Sequence, residues 1–291
     1  MNAMRGTPCG TGTVPRALSL RGVDKTFATR DGQPLRVLSD ITLDVGPGTF
    51  VALLGPSGCG KTTVLRLANG LIQPDAGSVE VFGAPARPGP DMGFVFQSFR
   101  LIPWATVRAN VDFALRALPL ADAERAERAD RYIAMVGLSR FADSYPRELS
   151  GGMKQRVALA RAFACEPRIL LMDEPFASID AQTRELMQIE LMRLWMLQRS
   201  MVLFVTHSVD EAILLADRIV LMGPRPGRIM ETLDVDLPRP RWTYDVRSDP
   251  RYRTLRAHLA RRMFELVMND PHSEFFGRDL TGHWTPDSPD G

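Results

Sequence analysis

Gly55-Pro56-Ser57-Gly58-Cys59-Gly60-Lys61-Thr62 fits the pattern G-x-x-x-x-G-K-[ST]. Ahead of it, Thr49 to Leu54 is an apolar run of strand length. Behind it, Thr63 to Asn69 reads as a helix that ends near Gly70. Strand, Gly-rich turn and helix start are the setting in which this pattern binds phosphate. Glycines let successive backbone N–H groups converge on one anion, because no side chains intervene. The helix N-terminus adds partial positive charge at the same place. Lys61 is expected to reach the β- and γ-phosphates of a nucleotide, and the Thr62 hydroxyl to ligate Mg²⁺.

Further strands end in polar residues. Arg168 to Met172 runs into Asp173-Glu174-Pro175. A carboxylate at a strand tip beside a phosphate loop can hold Mg²⁺ through water, and a second one can activate the attacking water. Asp173 is the expected metal-side group and Glu174 the expected general base. Neighbours on a strand point to opposite faces, so a turn at Pro175 has to bring both acids to one site. Met201 to Val205 is followed by Thr206-His207-Ser208, and Met92 to Phe96 by Gln97. Ligands bind at the carboxyl ends of parallel strands, which makes His207 a candidate for the γ-phosphate. Gln97 is a candidate for the metal or the water. Between these runs stands Leu149-Ser150-Gly151-Gly152-Met153-Lys154-Gln155-Arg156. Ser150, Gly151 and Gly152 open a helix from Met153 to Ala162 and form a second anion site. One chain cannot readily offer two anion sites to one phosphate; an interface between two copies can.

With these motifs in order, the chain resembles the nucleotide-binding subunit of an ABC transporter from Leu18 to Arg228. The implied fold is α/β: a P-loop NTPase core of the ABC type, a small antiparallel β part and a helical subdomain. The resemblance assigns Gly55 to Thr63 to the Walker A loop, Gln97 to the Q-loop, and Leu149 to Arg156 to the signature. It assigns Ile169 to Glu174 to Walker B, Ser178-Ile179-Asp180 to the D-loop, His207 to the switch histidine, and Phe27 to the aromatic that stacks on adenine. It implies ATP and Mg²⁺, and a homodimer in which Ser150, Gly151 and Gly152 of one copy meet the γ-phosphate held by the other. Transmembrane permease subunits and an extracytoplasmic substrate-binding protein are the further implied partners. The implied location is the cytoplasmic face of the inner membrane. A narrower resemblance, at Phe96 to Val107 and Arg225 to Ile229, is to importers of nitrate, sulfonate, taurine and related small anions. There Leu101, Pro103 and Trp104 fall near the surface that receives the permease, although Trp104 equally suits packing inside the helical subdomain. Other cargoes are the alternative: an exporter or lipid cassette, or a soluble ATPase acting on nucleic acid. The short spacing from Gly55 to Ser150 leaves no room for the long coiled coils of chromosome-acting relatives, and a single phosphate loop argues against a ribosome factor.

Composition agrees with a globular protein: 291 residues, 45% hydrophobic and 24% charged. A formal net charge of +2 is too small to point to nucleic acid. No apolar run approaches the roughly 20 residues that span a bilayer, and the Gly/Thr/Pro-rich start lacks the apolar core of a signal peptide. Cys9, Cys59 and Cys165 make no disulfide framework; Cys59 is expected to be open to alkylation. The expected organisation is a disordered stretch over 1–16, the ATPase domain over 17–236 with a helical subdomain at 98–155, and a C-terminal part over 237–291. That last part comprises a Pro/Arg linker at Leu237 to Arg241, an accessory helix and a loose tail. Leu255, Leu259, Met263 and Leu266 fall on one face of that helix. Leu186 to Leu197 is expected to pack into the core.

Overall fold

The computed structural model describes residues 16–177 and 179–276. Residues 1–15, Ser178 and 277–291 lie outside the described residues, and with them most of the expected disordered start, the loose tail and the first D-loop position. The chain opens with the long strands β1 (Leu18–Ala28) and β2 (Pro34–Val45). Strand β3 (Phe50–Leu54) runs into the phosphate loop and helix α1 (Lys61–Ala68). Strands β4 (Ala76–Val81), β5 (Ala84–Pro85) and β6 (Met92–Val95) follow. Next come helices α2 (Val107–Leu115), α3 (Asp122–Met135) and α4 (Gly151–Ala164). Then β7 (Ile169–Asp173), α5 (Ala181–Gln198), β8 (Met201–Thr206) and α6 (Val209–Leu215) alternate. Strands β9 (Arg218–Met222) and β10 (Ile229–Asp234) precede the last helix, α7 (Pro250–Met268).

The larger sheet has six strands in the order β10-β9-β3-β8-β7-β6, parallel except for β10. The smaller sheet is antiparallel, in the order β2-β1-β4-β5. Strands β3, β7 and β8 are buried along their whole length. Both faces of a parallel sheet are covered, so such strands read as unbroken apolar runs rather than as alternation. The period-2 geometry still divides them. Phe50, Ala52, Leu54, Leu170, Met172, Val202 and Phe204 point into one core, with α4, α5 and α6. Val51, Leu53, Ile169, Leu171, Leu203 and Val205 point into the other, with α1 and the antiparallel sheet.

The helical stretch after Gln97 is α2 and α3 joined to α4 by short 3₁₀ turns, with Ala129, Ile133 and Val136 buried beneath it. Helix α7 docks through the expected face: Leu259 and Leu266 are buried and Leu255 and Met263 pack against the same core. The Pro/Arg stretch at 237–241 is not a free tether, because Arg241 is buried and fixed by backbone carbonyls. The Leu186 to Leu197 expectation holds for Met187, Leu191, Met192, Leu194 and Trp195, whereas Leu186 and Leu197 at its two ends face solvent. An α-helix has only one stripe turned to the core, so its ends need not be buried although they are apolar.

Candidate functional site

The expected phosphate-loop and metal residues cluster where parallel strands end, whereas the signature residues stand at the start of α4. Gly55 is buried at the end of β3; a Cβ there would lie 2.7 Å from the Met222 carbonyl oxygen of β9. Gly58 and Gly60 have φ of 78° and 99°, a region that favours glycine. They turn the loop so that Gly60 caps α1. The Lys61 ammonium is 5% exposed and donates to the Gly55 and Pro56 carbonyls at 2.7 and 2.9 Å, inside the arch of the loop. Pro56, Ser57 and Gly58 stand outside the core, with Ser57 and Gly58 exposed. Thr63 follows in the first turn of α1.

Cys59 departs from expectation. Its side chain is buried, 1% exposed, and burial pushes its thiol above the ordinary value. Only a thiolate reacts with an alkylating agent, and it must be reached. The loop therefore carries Cys59 as a small apolar plug rather than as a reactive group.

Across the sheet, the Thr62 hydroxyl donates to Asp173 Oδ1 at 2.9 Å, joining the two residues expected on the metal side. Burial pushes the Asp173 carboxyl above its usual range, and the Thr62 hydrogen bond opposes that shift. Gln97 is exposed at the end of β6 and lines a cleft of about 950 Å³ with Thr62, Asp173, Arg66 and Phe96. A hydroxyl, a poorly hydrated carboxylate and an amide on one cleft form an all-oxygen donor set suited to a hard divalent cation.

Glu174 sits next to Asp173 yet serves the same side of the sheet. Its φ is 44°, rare for a residue with a side chain, and its amide donates to the Val205 carbonyl of β8 at 3.0 Å. This left-handed residue, rather than Pro175 alone, turns the second acid. Glu174 Oε2 then lies 3.2 Å from His207 Nδ1. The turn under His207 is tied down residue by residue. Thr206 Oγ1 accepts from the Ser208 amide at 3.0 Å and donates to Glu211 Oε2 at 2.6 Å. Ser208 caps α6 by accepting from the Glu211 amide at 3.3 Å. Glu211 is buried and also accepts from Gln188 Nε2 at 3.3 Å.

Ser150 is the N-cap of α4, its hydroxyl accepting from the Met153 amide at 3.3 Å, with Gly151 exposed beside it. A Cβ on Gly152 would meet Thr183 of α5 at 2.9 Å. Asp180 caps that helix by accepting from the Thr183 amide at 3.0 Å, which helps hold its carboxyl below the usual range. The signature and Asp180 are thus neighbours, whereas no hydrogen bond among the described residues ties Ser150 to Gly152 to the phosphate loop of their own chain. Phe27 is half-buried on β1, opposite Leu35. Its sheet reaches the loop through Leu38, whose side chain would lie 2.6 Å from a Cβ on Gly60.

Trp104 is 81% exposed, so it does not pack inside the helical part. Two side chains absent from the sequence reading present it. Fully buried Asn110 accepts from the Ile102 amide at 2.7 Å and donates to the Ala105 and Thr106 carbonyls at 3.0 and 2.9 Å. Arg161 of α4 donates to the Arg100 and Phe99 carbonyls at 2.7 and 3.1 Å. Nothing local marks either residue, since their partners are a loop turn and a strand end apart.

Known proteins share this arrangement. The family model described as ABC transporter matches residues 38–177. A taurine import ATP-binding protein of Mesorhizobium japonicum is 45% identical over 248 residues, 84% of this chain and 96% of that one. A nitrate import ATP-binding protein of Synechocystis is 42% identical over 241 residues, 81% of this chain and 90% of that one. A dimeric ATP-binding cassette solved in a post-hydrolysis state with ADP and phosphate superposes with a TM-score of 0.68. It is 31% identical and covers 76% of this chain and all of that one.

Proposed function

The chain belongs to the ABC transporter family of ATP-binding subunits, and from that premise we propose that it energises an importer of nitrate, a sulfonate, taurine or a related small anion. It is an ATPase of the P-loop type. The cargo reading rests on its likeness to taurine and nitrate import subunits along most of their length.

The geometry supports the following residue roles in this reading. The amides from Gly58 to Thr63, the helix start and Lys61 take the phosphates. Thr62, Asp173 and Gln97 would hold Mg²⁺, which when bound would supply neutralisation of the phosphate charge. Glu174 takes a proton from the attacking water, and His207, in contact with it, fixes its carboxylate toward the γ-phosphate. Phe27 stacks on adenine. A second copy presents Ser150, Gly151 and Gly152 to the same γ-phosphate, with Asp180 beside them. ATP then closes the dimer and its hydrolysis opens it, a two-state switch biased by ligand. Permease subunits dock over Leu101, Pro103 and Trp104 on the cytoplasmic face of the inner membrane, and an extracytoplasmic binding protein delivers the cargo. No helix among the described residues is long and apolar enough to cross a membrane, so the crossing belongs to partner chains in this reading.

The contact of Glu174 with His207 beside the Thr62–Asp173 pair carries the proposal. Lys61→Ala is expected to lose tight ATP binding, read by titration with a fluorescent nucleotide; normal affinity there removes Lys61 from the phosphate site. Glu174→Gln is expected to bind ATP and accumulate as a closed dimer with turnover reduced at least about a hundredfold, as for loss of a general base. Turnover at the wild-type rate removes Glu174 from that role. The cargo is tested by purifying the chain with its membrane partners and screening the accompanying binding protein against nitrate, taurine and alkyl sulfonates.

A further inference from the structure

Helix α6 starts two residues after His207, with its N-cap Ser208 between them, and it is gripped at both ends by the part of the chain beyond β10. At its C-terminus, Arg241 Nη1 donates to the Ile213 and Ala216 carbonyls, both at 2.7 Å, and Nη2 to the Val235 carbonyl at 3.3 Å. Helix ends leave carbonyls without intrahelical partners, and Arg241, 6% exposed, supplies them here. Burial, the largest influence, brings its guanidinium down to about 10. Arg239 adds a bond to the Leu215 carbonyl at 2.6 Å and pairs with Asp217 at 2.7 Å. Asp217 in turn accepts from the Phe50 amide at 2.9 Å, which ties this end of α6 to β3.

At the other end, Asp210 lies in the first turn of α6, three residues from His207. Its Oδ1 accepts from the Tyr252 hydroxyl at 2.6 Å and from Arg256 Nε at 2.8 Å, both on α7. The Tyr252 ring is 3% exposed, so its hydroxyl is aimed by packing. The Arg256 and Asp210 side chains are 55% and 45% exposed, and pairs in that setting contribute little by themselves. Of the two contacts, the buried phenol is therefore the stronger constraint.

We propose that the C-terminal segment from Arg239 to Arg256 is an intramolecular brace that sets the position of His207 against Glu174, with Tyr252 as its principal positioning residue, acting through Asp210. The inference rests on the reading of Glu174 and His207 as the hydrolytic pair. A helix that can shift by an ångström moves the side chain at its start by as much, and misplacement of that size is costly to turnover while leaving the phosphate loop, which binds ATP, untouched. The brace and the nucleotide loop share no side chain, which allows their effects to be separated.

The test uses the full chain with ATP, measuring kcat, KM and thermal midpoint for Tyr252→Phe, Asp210→Asn and the pair together, with Glu174→Gln as the reference. Tyr252→Phe keeps the buried ring and removes only the hydroxyl. A fall in kcat of about fivefold with KM held within about twofold is expected. The double variant should match Asp210→Asn alone, since the two residues act as one unit. Arg256→Lys, on the exposed side of the contact, should retain most of the rate and serves as a second probe if Tyr252→Phe folds poorly; Arg256→Gln then carries the kcat comparison. Unchanged kcat in Tyr252→Phe and Asp210→Asn, or effects that add and travel with KM and the thermal midpoint, overturns the brace. Wild-type turnover in Glu174→Gln instead overturns the hydrolytic pair on which it rests.

Discussion

At the scale of single residues, the site combines groups that water would ionise freely with surroundings that exclude water. Glu211 shows the consequence. Burial, the largest influence, pushes its carboxyl above the ordinary 4.5, against the opposing hydrogen bond from Thr206. The folded chain therefore binds more protons than the unfolded chain from about pH 4.5 up to the raised value. Stability falls as pH rises through that window, because a charge has to be held where it is poorly solvated. Glu211→Gln retains an acceptor for Thr206 and cannot ionise. Its thermal midpoint relative to the wild type is expected to climb as pH rises above about 4.5, read by calorimetry. A constant gap across that range would show that Glu211 carries its charge at no cost. The identities of such residues were partly legible in the sequence. Lys61, Thr62, Asp173, Glu174 and His207 stand beside apolar runs whose ends announce them, so they were legible as candidates. Glu211 was not, because its importance lies in a hydrogen bond to Thr206 made inside a turn.

At the scale of elements, the phosphate loop is a shape held from outside. The return between β9 and β10 presses on it. The Gly227 amide donates to the Val37 carbonyl at 2.8 Å and its carbonyl accepts from the Ser39 amide at 3.0 Å. A Cβ on Gly227 would lie 2.0 Å from the Cys59 carbonyl oxygen, backbone against backbone with no flexible atom to give way. Gly227→Ala is accordingly expected to shift the loop and weaken ATP binding by about tenfold or more, the scale of a strained backbone contact of 1–3 kcal/mol. Titration with a nucleotide analogue reads this, and wild-type affinity would show that the loop does not depend on the return. The Pro-Gly-Arg segment was visible in the sequence only as a cue of kinship; its mechanical part depends on chain far away in sequence. The same limit explains Arg161, Asn110 and Arg241. Arg161 and Arg241 donate to carbonyls of other elements and Asn110 to those of the turn before its own helix, and a carbonyl leaves no trace in residue identity. The strands β3, β7 and β8, by contrast, were plain as apolar runs, since a strand covered on both faces needs little else.

At the scale of the whole molecule, the cleft, the signature and the exposed Trp104 are connected through one helix. Helix α4 begins at Ser150, which faces a second copy in the proposed dimer. Ten residues after Gly151, its Arg161 grips the chain just after Gln97, on the way to Trp104. In the proposed dimer, closure at one end of α4 would thereby be linked to the loop that carries Trp104 at the other. Trp104 is 81% exposed and the backbone on either side of it is held by Asn110 and Arg161, a presentation that suits the proposed docking of a partner. Buried aromatic anchors at interfaces cost about 2 kcal/mol or more on truncation, roughly a thirtyfold loss of affinity. Trp104→Ala is expected to lower recovery of the chain with its permease by about that factor, read by pull-down from membranes, with ATP affinity of the free chain as the folding control. Full recovery would move the permease contact elsewhere on the surface. Asn110→Ala supplies the complementary measurement: the Trp104 ring is kept but its loop is released, so a smaller loss than for Trp104→Ala separates the cost of the anchor from that of its presentation.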